Sequence, residues 1–196
     1  MEGIVLKSTP FGDTGRIITI YTQDSGVVSA ILRRIGQKNL TLQNATSVLS
    51  LSEFHLVKGK GDLYRFQDAS LIDNFLELRN HFDKLTAAGN ILKCIQKTQI
   101  PENPSPALYL LLKTYLYNMK TSENPENLYL SFQLKLLQYE GVFSPQREHS
   151  PVFFTQEEWE LVKNLSFAKS FTNLSVLKTP KNFNKKLSGF FSLSFH

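Results

Sequence analysis

The chain has 196 residues, 41% of them hydrophobic, and a formal net charge of +5 from 22 Lys and Arg against 17 Asp and Glu. That length accommodates one large domain or two small ones around a sizeable core. No apolar run approaches the length of a membrane-spanning helix, the N-terminus lacks the pattern of a signal peptide, and the one cysteine, Cys94, excludes an internal disulfide and a cysteine-cluster zinc site.

The first third reads as β structure. Apolar runs at Gly3–Thr9, Arg16–Thr22 and Val27–Leu32 are joined by the turn-rich segments Pro10–Gly15 and Gln23–Gly26, where Gly26 is free to take a positive φ. Residues 34–46 are polar and read as a long loop. Ser47–Val57 alternates like a fourth strand, Lys58-Gly59-Lys60-Gly61-Asp62 reads as a hairpin tip, and Leu63–Asp68 returns as a fifth strand. Five short strands in about eighty residues fit an OB-type barrel. An SH3-like barrel or a half sandwich fits the periodicity nearly as well.

Helical spacing follows. Leu71, Ile72, Phe75, Leu76, Leu78, Phe82 and Leu85 form one stripe, and Ala87–Ile95 another. Cys94, among Ile91, Leu92 and Ile95, reads as a small buried hydrophobe. Ser105-Pro106 and Asn124-Pro125 each open a helix with a capping residue followed by proline, and Gly141 stops the second. Thr155 and Glu158 have capping-box spacing, and Thr179-Pro180 opens a last short helix. The expected fold class is α+β: a five-stranded OB-type β-barrel over residues 1–78, then a helical domain over 79–196.

The charge is unevenly placed. Residues 161–196 carry six lysines and no acid, and no Asp or Glu occurs between Asp24 and Glu53, whereas Arg33, Arg34 and Lys38 do. Clusters of this kind suit a polyanion, and they also occur as plain solvated surface. The catalytic signatures are missing. There is no Walker-type glycine loop and no His-Glu-x-x-His, and the four histidines (His55, His81, His149 and His196) are isolated. A binding protein is expected, with no enzymatic activity, no cofactor and a cytoplasmic location.

Several ordered segments resemble bacterial RecO, the recombination mediator family. They are Glu2–Lys7, Phe11–Thr22, Gly26–Ala30, then Arg33-Arg34 and Lys38, the Gly59–Leu63 hairpin, and Phe132–Gly141 with its Phe-x-Leu-x-Leu-Leu-x-x-x-Gly ending. The resemblance runs from Glu2 to about Pro145. It implies an OB barrel followed by helices, and binding of single- and double-stranded DNA with annealing of complementary strands. It also implies cooperation with RecR in loading RecA, contact with the acidic C-terminal tail of single-stranded DNA-binding protein, and a bacterial, nucleoid-associated place. Many relatives carry a four-cysteine zinc module where this chain reads Phe143-Ser144-Pro145-Gln146-Arg147-Glu148-His149 without cysteine; other relatives also lack it. No zinc is expected.

The expected DNA contacts are Arg33, Arg34 and Lys38 after the third strand and Lys58 and Lys60 at the hairpin tip, with Arg16 and Arg65 as further candidates. Each has an alternative as an ordinary surface charge. Tyr21, Phe54, Tyr64 and Phe66 are the nearest aromatics, for base stacking or for the barrel core. Lys178, Lys181, Lys185 and Lys186 form either a second contact for DNA or an acidic tail, or a frayed cationic end. The alternative function is a protein-interaction adaptor that binds an acidic peptide through the helical domain, with the barrel as scaffold.

Overall fold

Period-two burial builds the barrel. In a computed structural model, which describes residues 1–13, 15–33, 39–59, 61–145 and 154–195, the strands are β1 (Glu2–Phe11), β2 (Gly15–Thr22), β3 (Gly26–Leu32), β4 (Leu51–Lys58) and β5 (Leu63–Asp73). They close in the order β1-β2-β3-β5-β4, with β3 and β5 parallel and the other pairs antiparallel. This is an OB-type barrel. Ile18 and Ile20 of β2 and Val28, Ala30 and Leu32 of β3 point inward, where they meet Val5, Phe54 and Ala69. Gly26 takes φ 65°, as its turn requires.

The structure corrects three sequence expectations here. The polar stretch read as a loop contains helix α1 (Leu40–Ala45), capped by Asn39, whose Oδ1 accepts from the Leu42 amide at 3.0 Å. Its Leu42 and Ala45 pack against the barrel core. The fourth strand starts at Leu51 rather than Ser47, because Ser47 and Ser50 are engaged in the turn, both hydroxyls donating to the Asn44 carbonyl. The fifth strand continues to Asp73 through residues with helical spacing: Ser70 pairs with Glu53 and Leu71 with Ser52, so the ladder overrides local periodicity.

Five-strand barrel and helices fall into two compact units. The first holds Met1–Arg79 with Ile95–Leu111, and the second Asn80–Cys94 with Leu112–His196. In the first unit, Gln96 Nε2 donates to the Leu6 carbonyl at 2.9 Å and Tyr109 Oη to Glu2 Oε1 at 2.7 Å. Short α2 (Leu76–Arg79) ends on Arg79, which donates to the carbonyls of Asn74 and Val48 and to Ser47 Oγ. These bonds tie the end of β5 to the turn before β4.

The helices that follow are α3 (Phe82–Thr98), α4 (Pro106–Met119), α5 (Pro125–Tyr139), α6 (Gln156–Phe167), α7 (Phe171–Ser175) and α8 (Phe183–Ser194). Their caps are those expected at Ser105, Asn124 and Thr155, the last a complete capping box with Glu158. The final helix begins at Phe183, three residues beyond Pro180. In the second unit α5 is buried along almost its whole length and packs against α6, α7 and α8. Such all-round burial demands that its polar residues be partnered. Tyr115 Oη donates to Ser131 Oγ at 2.8 Å, and Ser131 in turn donates to the Leu165 carbonyl at 2.7 Å. Asn127 anchors α7 and the segment after it through bonds to the carbonyls of Leu174 and Leu177. At Gly141, with φ 72°, the chain leaves the helix through bonds from the Gly141 and Val142 amides to the carbonyls of Gln138 and Leu137. No helix among the described residues is long and apolar enough to cross a membrane.

Candidate nucleic-acid interface

The parallel β3–β5 ladder is short: Ser29 lies opposite Leu63, Ala30 opposite Tyr64 and Ile31 opposite Arg65. Past Ile31 the ladder ends and a groove of about 250 Å³ opens. Among the described residues Arg33 and Arg65 are its cations, Ile31, Leu32, Leu42 and Phe66 supply apolar lining, and Gln67 joins them. Both arginines are exposed. Among the described residues no carboxylate contributes to this lining. A guanidinium presents planar, paired donors that match phosphate oxygens. Two of them over an apolar floor combine donors suited to backbone phosphates with a surface suited to a base or sugar.

The register separates the expected cations. Arg65 shares the outer face with Ile31, whereas Arg16, opposite Leu32, has the inward parity of Ile18 and emerges exposed because it lies at the strand's end. Lys58 belongs to a different neighbourhood. Its Nζ meets Glu102 Oε1 at 3.3 Å, and the Glu102 amide donates to the carbonyl of Val27, near the start of β3 and so at the other end of that strand from Arg33. Arg34, Lys38 and Lys60 lie outside the described residues.

The aromatic candidates divide by burial. Tyr21 and Phe54 are fully enclosed, Tyr21 against the Tyr109 ring at 5.9 Å, so neither reaches a base. Tyr64 packs partly against the core, and Phe66 both packs there and lines the groove. Sequence reading missed Leu42 and Gln67. The signal for Leu42 was Asn39, a capping residue three positions before it.

In the helical unit Lys186 is engaged: its Nζ reaches Glu158 Oε1 at 2.8 Å and Oε2 at 2.6 Å, and lies over the Phe154 ring. Hydrogen bonding from Lys186 holds the Glu158 carboxyl below its ordinary range against the opposing effect of burial, and the Thr155 amide assists. Lys178, Lys181 and Lys185 are exposed. A groove of about 430 Å³ in this unit has Phe82, Ala87, Pro125 and Tyr129 beside Asp83, Glu123 and Glu126. An acidic peptide would meet like charge there. Among the described residues no group of three or more His, Cys, Asp or Glu is placed to hold a metal ion, and Cys94 is buried, so nothing in them corresponds to a four-cysteine module.

Comparison with known proteins places the chain in a family. The model for recombination protein O, N-terminal, matches residues 1–75, and that for recombination protein O, C-terminal, matches residues 79–147. The chain is 31% identical over 141 residues to DNA repair protein RecO of Acetivibrio thermocellus, covering 71% of this chain and 56% of that one. It is 29% identical over 142 residues to the proteins of the same name from Caldicellulosiruptor bescii and Bacillus mycoides, covering 72% of this chain and 58% and 57% of theirs. The chain thus spans less than three fifths of the length of these relatives. With both domain models matched in order along an OB barrel and the helices that follow it, the chain belongs to the RecO family.

Proposed function

We propose that this chain is a DNA-binding recombination mediator acting in DNA repair. The barrel holds DNA phosphates on Arg33 and Arg65, with Arg34, Lys38, Lys60 and Arg16 as further contacts; Lys58, drawn toward Glu102, contributes little. Neutralising phosphates lowers the repulsion between strands, which favours annealing of complementary single strands and permits binding of duplex as well. In this role the chain works with RecR to load RecA onto DNA covered by single-stranded DNA-binding protein, and the helical domain meets that protein's acidic tail. The work is done at the bacterial nucleoid, and no catalytic step is assigned to it.

The observation that carries the proposal is the pairing of Arg33 and Arg65 across one apolar-floored groove of an OB barrel. Its test is binding of a fluorescently labelled single-stranded oligonucleotide, titrated with salt, to the wild type and to the Arg33→Ala/Arg65→Ala variant. Each phosphate contact on a single strand adds about 0.7 to the log–log salt slope, so the variant is expected to lose about 1.4 from the slope together with affinity. Unchanged affinity and slope would reject the interface. Binding of the acidic tail by a chain without affinity for DNA would instead favour the adaptor.

A further inference from the structure

We infer that Phe11 is a base-stacking residue, and that it gives the barrel face a preference for unpaired over paired nucleic acid. The inference rests on the DNA-binding role proposed above and adds to it a site for an unpaired nucleobase beside the arginine groove.

Phe11 is the last residue of β1 and stays 49% exposed, although a large aromatic ring gains most from burial. The register explains why the ring is uncovered. Phe11 lies opposite Gly15, which offers no side chain to pack on it. Gly15 is in turn held to a glycine by close approach: a Cβ there would stand 2.7 Å from the Phe11 carbonyl oxygen and 2.9 Å from that of Leu32. The backbones of β1, β2 and β3 are therefore tightly drawn together at this end of the barrel, and Arg33 follows Leu32 directly.

Parity then aligns the side chains. Thr9, Ile17, Ile31 and Arg65 are successive partners across β1, β2, β3 and β5 and share the outer face. Phe11 and Gly15 stand two residues further along β1 and β2 on that same face, beside the position of Arg33. The face thus presents an exposed ring at one edge and two guanidinium groups toward the other, on a frame of paired strands. An unpaired base can lie flat on the ring while its neighbouring phosphates meet the arginines. A base inside a duplex has both its faces occupied by stacked neighbours, so the ring gains nothing from it.

The rival explanation is internal. An aromatic side chain opposite a strand glycine can serve to cover the bare backbone. The two roles give different results in a comparison of Phe11→Ala, Phe11→Trp and the wild type. Binding is read by the fluorescence of 2-aminopurine in a single-stranded oligonucleotide, and in parallel with a labelled duplex of the same length. Stacking predicts that Phe11→Ala weakens single-strand binding about tenfold and removes the 2-aminopurine quenching, while the salt slope and duplex affinity stay unchanged. Phe11→Trp restores both affinity and quenching. If Phe11→Ala binds single strands like the wild type, or loses single-strand and duplex affinity equally along with thermal stability, the ring only covers Gly15 and the inference fails. DNA binding by the Phe11→Ala chain that still depends on Arg33 and Arg65 would leave the proposed function standing. A wild type that binds no DNA would reject both.

Discussion

Arg65 lies directly across from Ile31 in the parallel ladder of the barrel, two residues before Arg33 on the neighbouring strand. The chain thereby brings a cation from its fifth strand beside one that follows its third, over a floor from both strands and α1. Lys58, seven residues before Arg65 in sequence, is instead drawn toward Glu102.

That division predicts unequal effects from equal charge changes. Arg65→Ala is expected to lower single-strand affinity several-fold and the salt slope by about 0.7. Lys58→Ala, which removes a cation already facing a carboxylate, is expected to change affinity less than twofold. Because the Lys58–Glu102 pair is largely exposed, its loss should cost under about 1 kcal/mol in stability. Salt-titrated binding and urea unfolding of both variants check the contrast.

Gly15→Ala should disturb the barrel from its edge. The added methyl carbon would meet two backbone oxygens that cannot rotate away, so the hairpin end must shift. A destabilisation of about 2 kcal/mol is expected by analogy with overpacking, read as a lower urea midpoint. Single-strand binding should weaken in parallel, because Phe11 and Arg33 flank the displaced backbone.

Asn127 predicts a large effect in the helical unit. Its Nδ2 donates to the carbonyls of Leu174 at 2.8 Å and Leu177 at 2.9 Å, and the Thr179 hydroxyl donates to its Oδ1. Asn127→Ala leaves these groups without their partner in a buried setting and should cost about 3 kcal/mol. Urea unfolding measures the loss, and Asn127→Asp, which retains the acceptor but neither donor, should be destabilised as well.

Glu158 predicts the acid limb of stability. Its carboxyl is held below the ordinary value near 4.5 by Lys186 first, with the Thr155 amide assisting. A depressed folded value means stability that is present in full above the unfolded value and lost as pH falls through the folded one. Urea midpoints should therefore decline below about pH 4.5 in the wild type. Glu158→Gln should be less stable at neutral pH and should show a shallower decline over the same range.

The features legible in the sequence are those that local chemistry determines. Asn124-Pro125, Gly141 and the Thr155–Glu158 box mark helix ends because each acts within four residues of the groups it satisfies. Alternation in β2 and β3 reports the barrel interior for the same reason. α1 was hidden because a six-residue helix with Leu42 and Ala45 as its core contacts is too short to establish a period. The end of β5 was hidden because Leu71 and Ile72 have helical spacing while the Leu71–Ser52 pairing that fixes them is remote in sequence. The interface shows the same limit. Arg33 and Arg65 were each identifiable as exposed cations, but their partnership depends on β3 meeting β5 rather than β4, and no local pattern carries that information. Nor did periodicity reveal that Ile95–Leu111 joins the barrel unit, which depends on contacts such as Gln96 with the Leu6 carbonyl.

Hydrogen–deuterium exchange of the chain, with and without a saturating single-stranded oligonucleotide, tests the central claim most directly. Bound DNA should slow exchange in peptides spanning residues 9–17, 29–33 and 63–67, the three segments that form the outer face around Phe11, Arg33 and Arg65. Protection confined to residues 112–195, with the barrel peptides unchanged, would contradict it.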